Sequence, residues 1–216
     1  IIGDGGAGKT TLLRRLQRPN DDPGDLAVTD GIETGQFTME DGPGGVPLTA
    51  TVTDFGGQKQ YRRTHPVLFT DSAVYIVAWS PRVDATTNRR HIRDYLRHVA
   101  TRAPGAPVIL VETWAGLGLS SSLSASQFQE LQAEFNSVHG AGVVQVDSRS
   151  EEGTGLDALR SAVASAAEKL AHVPQEGVPN RCALFCGVCA RDVEVCDGER
   201  YRGVSLVFVC QVQCAD

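Results

Sequence analysis

Residues 3–10 read Gly-Asp-Gly-Gly-Ala-Gly-Lys-Thr. The spacing is G-x-x-x-x-G-K-[ST], and its chemistry is polyphosphate binding. Gly3, Gly5, Gly6 and Gly8 let consecutive backbone N–H groups, those of Asp4 and Ala7 among them, turn inward around an anion. Lys9 reaches the β- and γ-phosphates, and the Thr10 hydroxyl is a ligand for Mg²⁺. Thr11 follows in the first turn of a helix whose positive dipole end faces the phosphates.

A second group of residues suits the same chemistry. Asp54-Phe55-Gly56-Gly57-Gln58 closes an apolar–polar alternating segment. A carboxylate at Asp54 holds Mg²⁺, usually through a water. Gly57 offers a backbone N–H to a γ-phosphate, and Gln58 carries both the donor and the acceptor needed to orient an attacking water. Thr29, in Val28-Thr29-Asp30-Gly31-Ile32, supplies a further hydroxyl for the metal. Catalysis is thus expected from Lys9, Gly57 and Gln58, and metal binding from Thr10, Thr29 and Asp54.

These groups need a scaffold that brings distant segments together. Ile1-Ile2 reads as the end of a strand, and residues 10–16 as a helix. Residues 31–39 and 47–55 alternate apolar and polar positions around a glycine-rich turn, which predicts an antiparallel hairpin. Residues 73–79, 107–111 and 143–146 are nearly continuous apolar runs, as in strands covered on both faces. Between them, residues 88–102, 126–138 and 156–171 space their apolar side chains three and four apart, the mark of amphipathic helices. Alternating strands and helices predict a mainly parallel α/β sheet with helices on both faces. Ligands in such sheets sit at the carboxyl ends of the strands.

With these motifs the chain resembles the Ras-like small GTPases, and among them the Roc domain of the ROCO family. The resemblance rests on Asp54 to Gln58, Tyr61, Thr64-His65-Pro66, Ala73-Val74-Tyr75 and Thr29-Asp30-Gly31-Ile32, and it covers residues 1–173. It implies a three-layer P-loop NTPase fold, GTP and GDP as ligands, Mg²⁺ as cofactor and slow hydrolysis of GTP. It also places Gly5 beside the γ-phosphate, where a side chain would obstruct Gln58 or an incoming arginine. ROCO chains normally continue into a COR dimerisation domain, so protein partners or a homodimer through such a region are expected. Arg62 and Arg63 fall in the second switch.

The chain departs from that family at base recognition. N-K-x-D, or T-H-x-D in many Roc domains, follows a strand there. Here the strand is followed by Glu112-Thr113-Trp114-Ala115-Gly116, with Gly116 in the place of the Asp that pairs with guanine. Charged hydrogen bonds contribute roughly 1.5–3 kcal/mol each, so losing that Asp would erase most preference for guanine over adenine. Trp114 either stacks on a base or plugs the strand end. Asp147-Ser148-Arg149 stands where the family's S-A-K-like loop contacts the base, so the resemblance makes Thr113, Trp114 and Ser148 the candidates for nucleobase contacts.

The remainder of the chain narrows the reading. A net charge of −6, with 41% hydrophobic and 21% charged residues, points away from nucleic acid as partner. No apolar run of about 18 residues predicts a transmembrane helix. The helix at residues 88–102 is rich in Arg and His, and a solvated face is the expectation. All six cysteines follow residue 181, so no disulfide framework supports the main domain and a reducing, cytoplasmic setting is expected. Their spacing matches no familiar zinc module, and zinc is not expected in this tail. Residues 174–216 are read as a linker and an unstructured or spurious segment. The chain starts inside its first motif, so it is expected to be part of a larger signalling protein. Two other functions stay open: a nucleotide-binding scaffold that does not cycle, and an ATP-preferring P-loop NTPase.

Overall fold

The computed structural model describes residues 1–19, 32–39, 48–55, 69–150 and 152–171, the side chains of residues 32–34, 53–55 and 171 excepted. Helix α1 (Lys9–Gln17) leads to the strands β1 (Ile32–Met39) and β2 (Leu48–Phe55). Then follow β3 (Tyr75–Trp79), α2 (Ala85–Arg102), β4 (Val108–Thr113), a 3₁₀ turn (Ala115–Leu117), α3 (Ala125–Glu134), β5 (Val138–Val146) and α4 (Leu156–Ala171). The predicted hairpin is present: β1 and β2 pair antiparallel, from Ile32 opposite Phe55 to Met39 opposite Leu48. The other three strands form a parallel sheet in the order β3-β4-β5. Ile2 bridges Val77 in the parallel sense on the remaining side of β3, with its N–H donating to Ile76 O at 2.8 Å. The chain's first two residues are therefore a strand fragment in the sheet, as expected.

Strand pleating explains the three layers. Along β3, Tyr75, Val77 and Trp79 join one buried cluster with Ile92, Leu96 and Val99 of α2 and Phe128 and Leu131 of α3. Their neighbours Ile76 and Ala78 join the opposite cluster, with Leu12, Leu13 and Leu16 of α1 and Leu159, Val163 and Ala166 of α4. Period-two strands feeding period-3.6 helices on both faces bury every residue of β3 and β4. The hairpin contributes Phe37, Met39, Leu48, Ala50 and Val52 to the α1–α4 side.

Several element ends differ from expectation, most of all β5, which starts at Val138 and not at residue 143. The third helix stops at Glu134 and not at Val138, because Phe135 is extended (φ −128°) and Val138 begins β5. Both side chains face the core, so the helical spacing continued across a chain reversal. Helix α2 starts three residues early, since Asp84 caps it by accepting the Thr87 N–H at 2.9 Å. Asn88, expected at the start of that helix, is buried and donates to Ser80 O and Ser122 Oγ, each at 2.9 Å.

Candidate functional site

The loop at residues 3–8 connects the strand fragment to α1 at the carboxyl end of the parallel sheet. Gly3 packs so close to the backbone of β3 that any side chain would collide with the Ala78 carbonyl oxygen. Gly6 and Gly8 have φ of 75° and 78°, left-handed values that favour glycine. Gly8 is the N-cap of α1 and no side chain caps the helix. The positive end of the helix dipole at such a terminus favours an anion. Lys9 is 6% exposed, and its ammonium crosses the loop to donate to the Asp4 carbonyl at 2.8 Å. A cation and a glycine-rich backbone are held together where the sheet's strands end.

Asp4 uses its side chain differently from its backbone. The carboxylate accepts from the Tyr95 hydroxyl at 3.1 Å and pairs with His91 Nδ1. The loop is therefore tethered to α2. Of the basic residues on that helix, Arg93 and Arg97 reach Glu134 and Asp94 on exposed ground, which agrees with a solvated face, whereas His91 engages the loop.

The second half of the site lies at the ends of β4 and β5. Thr113 Oγ1 lies 2.6 Å from Ala7 O and 2.9 Å from Trp79 O, so one hydroxyl ties β4 to the loop and to β3. Trp114 has φ 60°, the only left-handed non-glycine among the described residues. Its ring sits with the Arg82 guanidinium 4.5 Å from the centroid and that of Arg149 at 5.2 Å, distances at which cations attract the ring face. Asp147, Ser148 and Arg149 follow β5. Arg15 of α1, 3% exposed, donates to Ser150 O at 2.6 Å and holds this loop against the first helix.

These segments enclose a pocket together with Gly8 and Thr11. It holds about 10 Å³, enough for one water at most. Two buried polar atoms on its lining residues, Trp114 Nε1 and Ser148 Oγ, have no hydrogen-bond partner among the described residues. A buried polar group without a protein partner is costly unless a water, an ion or a ligand satisfies it. Gly116 and Asp147 meet at the same place: a side chain on Gly116 would collide with Asp147 Oδ2 and lie 3.0 Å from its Cγ.

The structure thus gathers Gly3, Gly5, Gly6, Ala7, Gly8, Lys9, Thr10 and Thr11 with Thr113, Trp114 and Ser148. Asp4 belongs to the group through its backbone. Asp54 is placed in β2 opposite Glu33. Thr29, Gly57, Gln58, Arg62, Arg63 and the cysteine tail lie outside the described residues, as does the expected linker. Among the described residues no cluster of three His, Cys, Asp or Glu forms a metal site, and no helix is long and apolar enough to cross a membrane.

Sequence reasoning missed several positioning groups. Glu112, 1% exposed, receives bonds from Trp79 Nε1 and the Ser122 N–H, each at 2.8 Å, and from Ser121 Oγ at 3.2 Å. Nothing local marks Glu112, Arg15, Arg82 or His91 as different from solvent-facing charges. Only their positions against strand ends would have hinted at it.

A parallel sheet between two helical layers, with a glycine loop and lysine at the strand ends, defines a P-loop α/β domain of Ras-like class. The family model for Roc, described as "Ras of Complex, Roc, domain of DAPkinase", matches residues 1–115. The chain belongs to the Roc family. It is similar to the probable serine/threonine-protein kinase pats1 of Dictyostelium discoideum, with 32% identity over 130 residues, 52% of this chain and 4% of that protein. It is also similar to the GTP-binding protein RHO4 of Saccharomyces cerevisiae, with 30% identity over 125 residues, 57% of this chain and 41% of that one. The chain therefore spans less than half the length of either relative. The same fold occurs in Methanosarcina barkeri Roco2 RocCORdC bound to GDP, at a TM-score of 0.60 and 24% identity, over 78% of this chain and 47% of that one.

Proposed function

We propose that this domain binds guanine nucleotides and acts as a slow GTPase switch module within a larger signalling protein. The observation that carries the reading is the loop itself: Lys9, buried and bonded across to Asp4 O at 2.8 Å, beside a helix N-terminus with no side-chain cap. That geometry favours a polyphosphate over other anions, because the cation and the row of amides face one another across the loop. Membership of the Roc family and the described names of relatives support guanine as the base.

Hard oxygen donors suit Mg²⁺. The Thr10 hydroxyl at the start of α1 and Asp54 in β2 are such donors, and Thr29 would join them. Bound there, the ion would neutralise charge on the terminal phosphates. Lys9 and the loop amides would hold the phosphates, Gly57 would offer its N–H to the γ-phosphate, and Gln58 would orient the attacking water. Positioning and charge stabilisation carry this chemistry. Two switch segments that order around a γ-phosphate would transmit its presence to protein partners.

Titration with labelled GTP, GDP and ATP tests the reading. Binding of GTP and GDP above ATP, lost in Lys9→Ala, supports it. Preference for ATP, or full binding by Lys9→Ala, overturns it. Phosphate release by Gln58→Leu then tests hydrolysis, where an unchanged rate rejects the role of Gln58.

A further inference from the structure

Gly116 lacks a side chain where a guanine-pairing carboxylate would start, and a carboxylate fills that space from another part of the chain. We propose that Asp147, from the loop after β5, recognises the guanine edge in place of residue 116. The inference rests on the guanine-nucleotide reading above and names the group that gives that site its base preference.

Three observations support it. A side chain at position 116 would run into Asp147 Oδ2 and lie 3.0 Å from Cγ. The two positions therefore compete for one volume, and a glycine at 116 is what lets Asp147 reach it. Next, the Asp147 side chain is aimed by its own loop: Oδ1 accepts the Arg149 N–H at 3.0 Å, while the Asp147 N–H donates to Thr154 O at 2.9 Å. A carboxylate oxygen accepts two hydrogen bonds, so both oxygens remain able to take a further donor. Finally, Asp147 lines the pocket that also holds Ser148 Oγ, on a residue 6% exposed, and Trp114 Nε1, both without partners among the described residues.

The chemistry selects guanine. Its edge offers two parallel donors, the ring N1–H and the exocyclic amino group, which match a carboxylate's two acceptors. Adenine presents an acceptor at N1 and would face the carboxylate with repulsion. Xanthine keeps N1–H but carries a carbonyl in place of the amino group, so it matches an amide better than a carboxylate.

The test follows from that difference. Affinities of the full chain for GDP and XDP are compared with those of Asp147→Asn, a change that keeps the side chain's size. The inference expects GDP affinity to fall at least about tenfold and the GDP-to-XDP ratio to shift toward XDP by about a hundredfold or more. A ratio within twofold of the parent overturns it. A second variant, Gly116→Asp with Asp147→Ser, moves the carboxylate to the other strand end and is expected to recover GDP preference to within about threefold. If this variant binds GDP no better than Asp147→Ser alone, the two positions do not share one role and the inference fails. A parent that binds neither GDP nor GTP overturns the guanine-nucleotide reading itself. GDP binding lost in Lys9→Ala yet indifferent to Asp147 sinks only the inference.

Discussion

The Tyr95 hydroxyl donates to Asp4 Oδ1 at 3.1 Å, so the middle of α2 is hydrogen-bonded to the second residue of the glycine loop. Ninety-one positions separate the two, and the contact exists only because α2 packs across β3. A loop built of glycines has high conformational entropy, and such an anchor restricts it before any phosphate arrives.

Tyr95→Phe should therefore retain the fold while loosening the loop. The loss of one hydrogen bond to a carboxylate is expected to cost about 1–3 kcal/mol, or roughly 2–12 °C in Tm for a domain of this size. GDP should dissociate faster than from the parent. Differential scanning fluorimetry and the release rate of a fluorescent GDP measure the two effects, and a parental release rate would show that the tether does not order the loop.

Gly3→Ala should be the most damaging single methyl in the loop. The added atom meets the Ala78 carbonyl of β3, and backbone cannot move aside cheaply. Overpacking of this kind costs about 1–3 kcal/mol or more. Urea denaturation should show a lower midpoint with an unchanged slope.

Glu112→Ala should destabilise the sheet's end by about 1–3 kcal/mol. It strands the Trp79 indole N–H and the Ser122 N–H, both bonded to Glu112 Oε2 at 2.8 Å. Chemical denaturation followed by Trp fluorescence checks this, and parental stability would mean that water or a neighbour replaces the carboxyl group.

Trp114 should report nucleotide binding. The pocket behind it holds about 10 Å³, far less than a base, so a base can enter only if Trp114 or Arg149 shifts. Breaking the ring's contacts with Arg82 and Arg149 should change its emission. The chain has two Trp, and Trp114→Phe should abolish the change on GDP addition while Trp79→Phe retains it.

His139 should make the domain less stable in mild acid. Burial first, and then the nearby Lys169 ammonium, hold its imidazole below the usual value of 6.5. The unfolded chain therefore binds the proton first as pH falls. Stability is complete above about pH 6.5 and declines below it, toward the depressed native value. His139→Gln should flatten that part of the Tm-against-pH curve, and an unchanged slope would assign it to other groups.

Much of this was legible in the chain. The loop at residues 3–10 is read from spacing because the phosphate binding proposed for it needs only consecutive backbone amides and one lysine. Helix α4 is read from its three- and four-residue stripe, and its span agrees with the reading. The hairpin is read from alternation and a glycine-rich turn. Each of these depends on neighbours within a few residues. The third helix is shorter than its spacing predicts because Phe135 and Val138 keep a helical spacing while facing the core from an extended segment.

Local order, then, was determined by the sequence itself: which segments form strands and helices, where a polyphosphate would sit, and that position 116 lacks a carboxylate. Tertiary structure alone decided what stands in that place. It brought Asp147 against Gly116, set the Arg82 and Arg149 guanidinium groups by the Trp114 ring, and turned the Asp4 side chain toward Tyr95. The physical reason is that these contacts join strand ends tens of residues apart. Their geometry comes from sheet order and from which helix covers which face, and no short-range spacing encodes either.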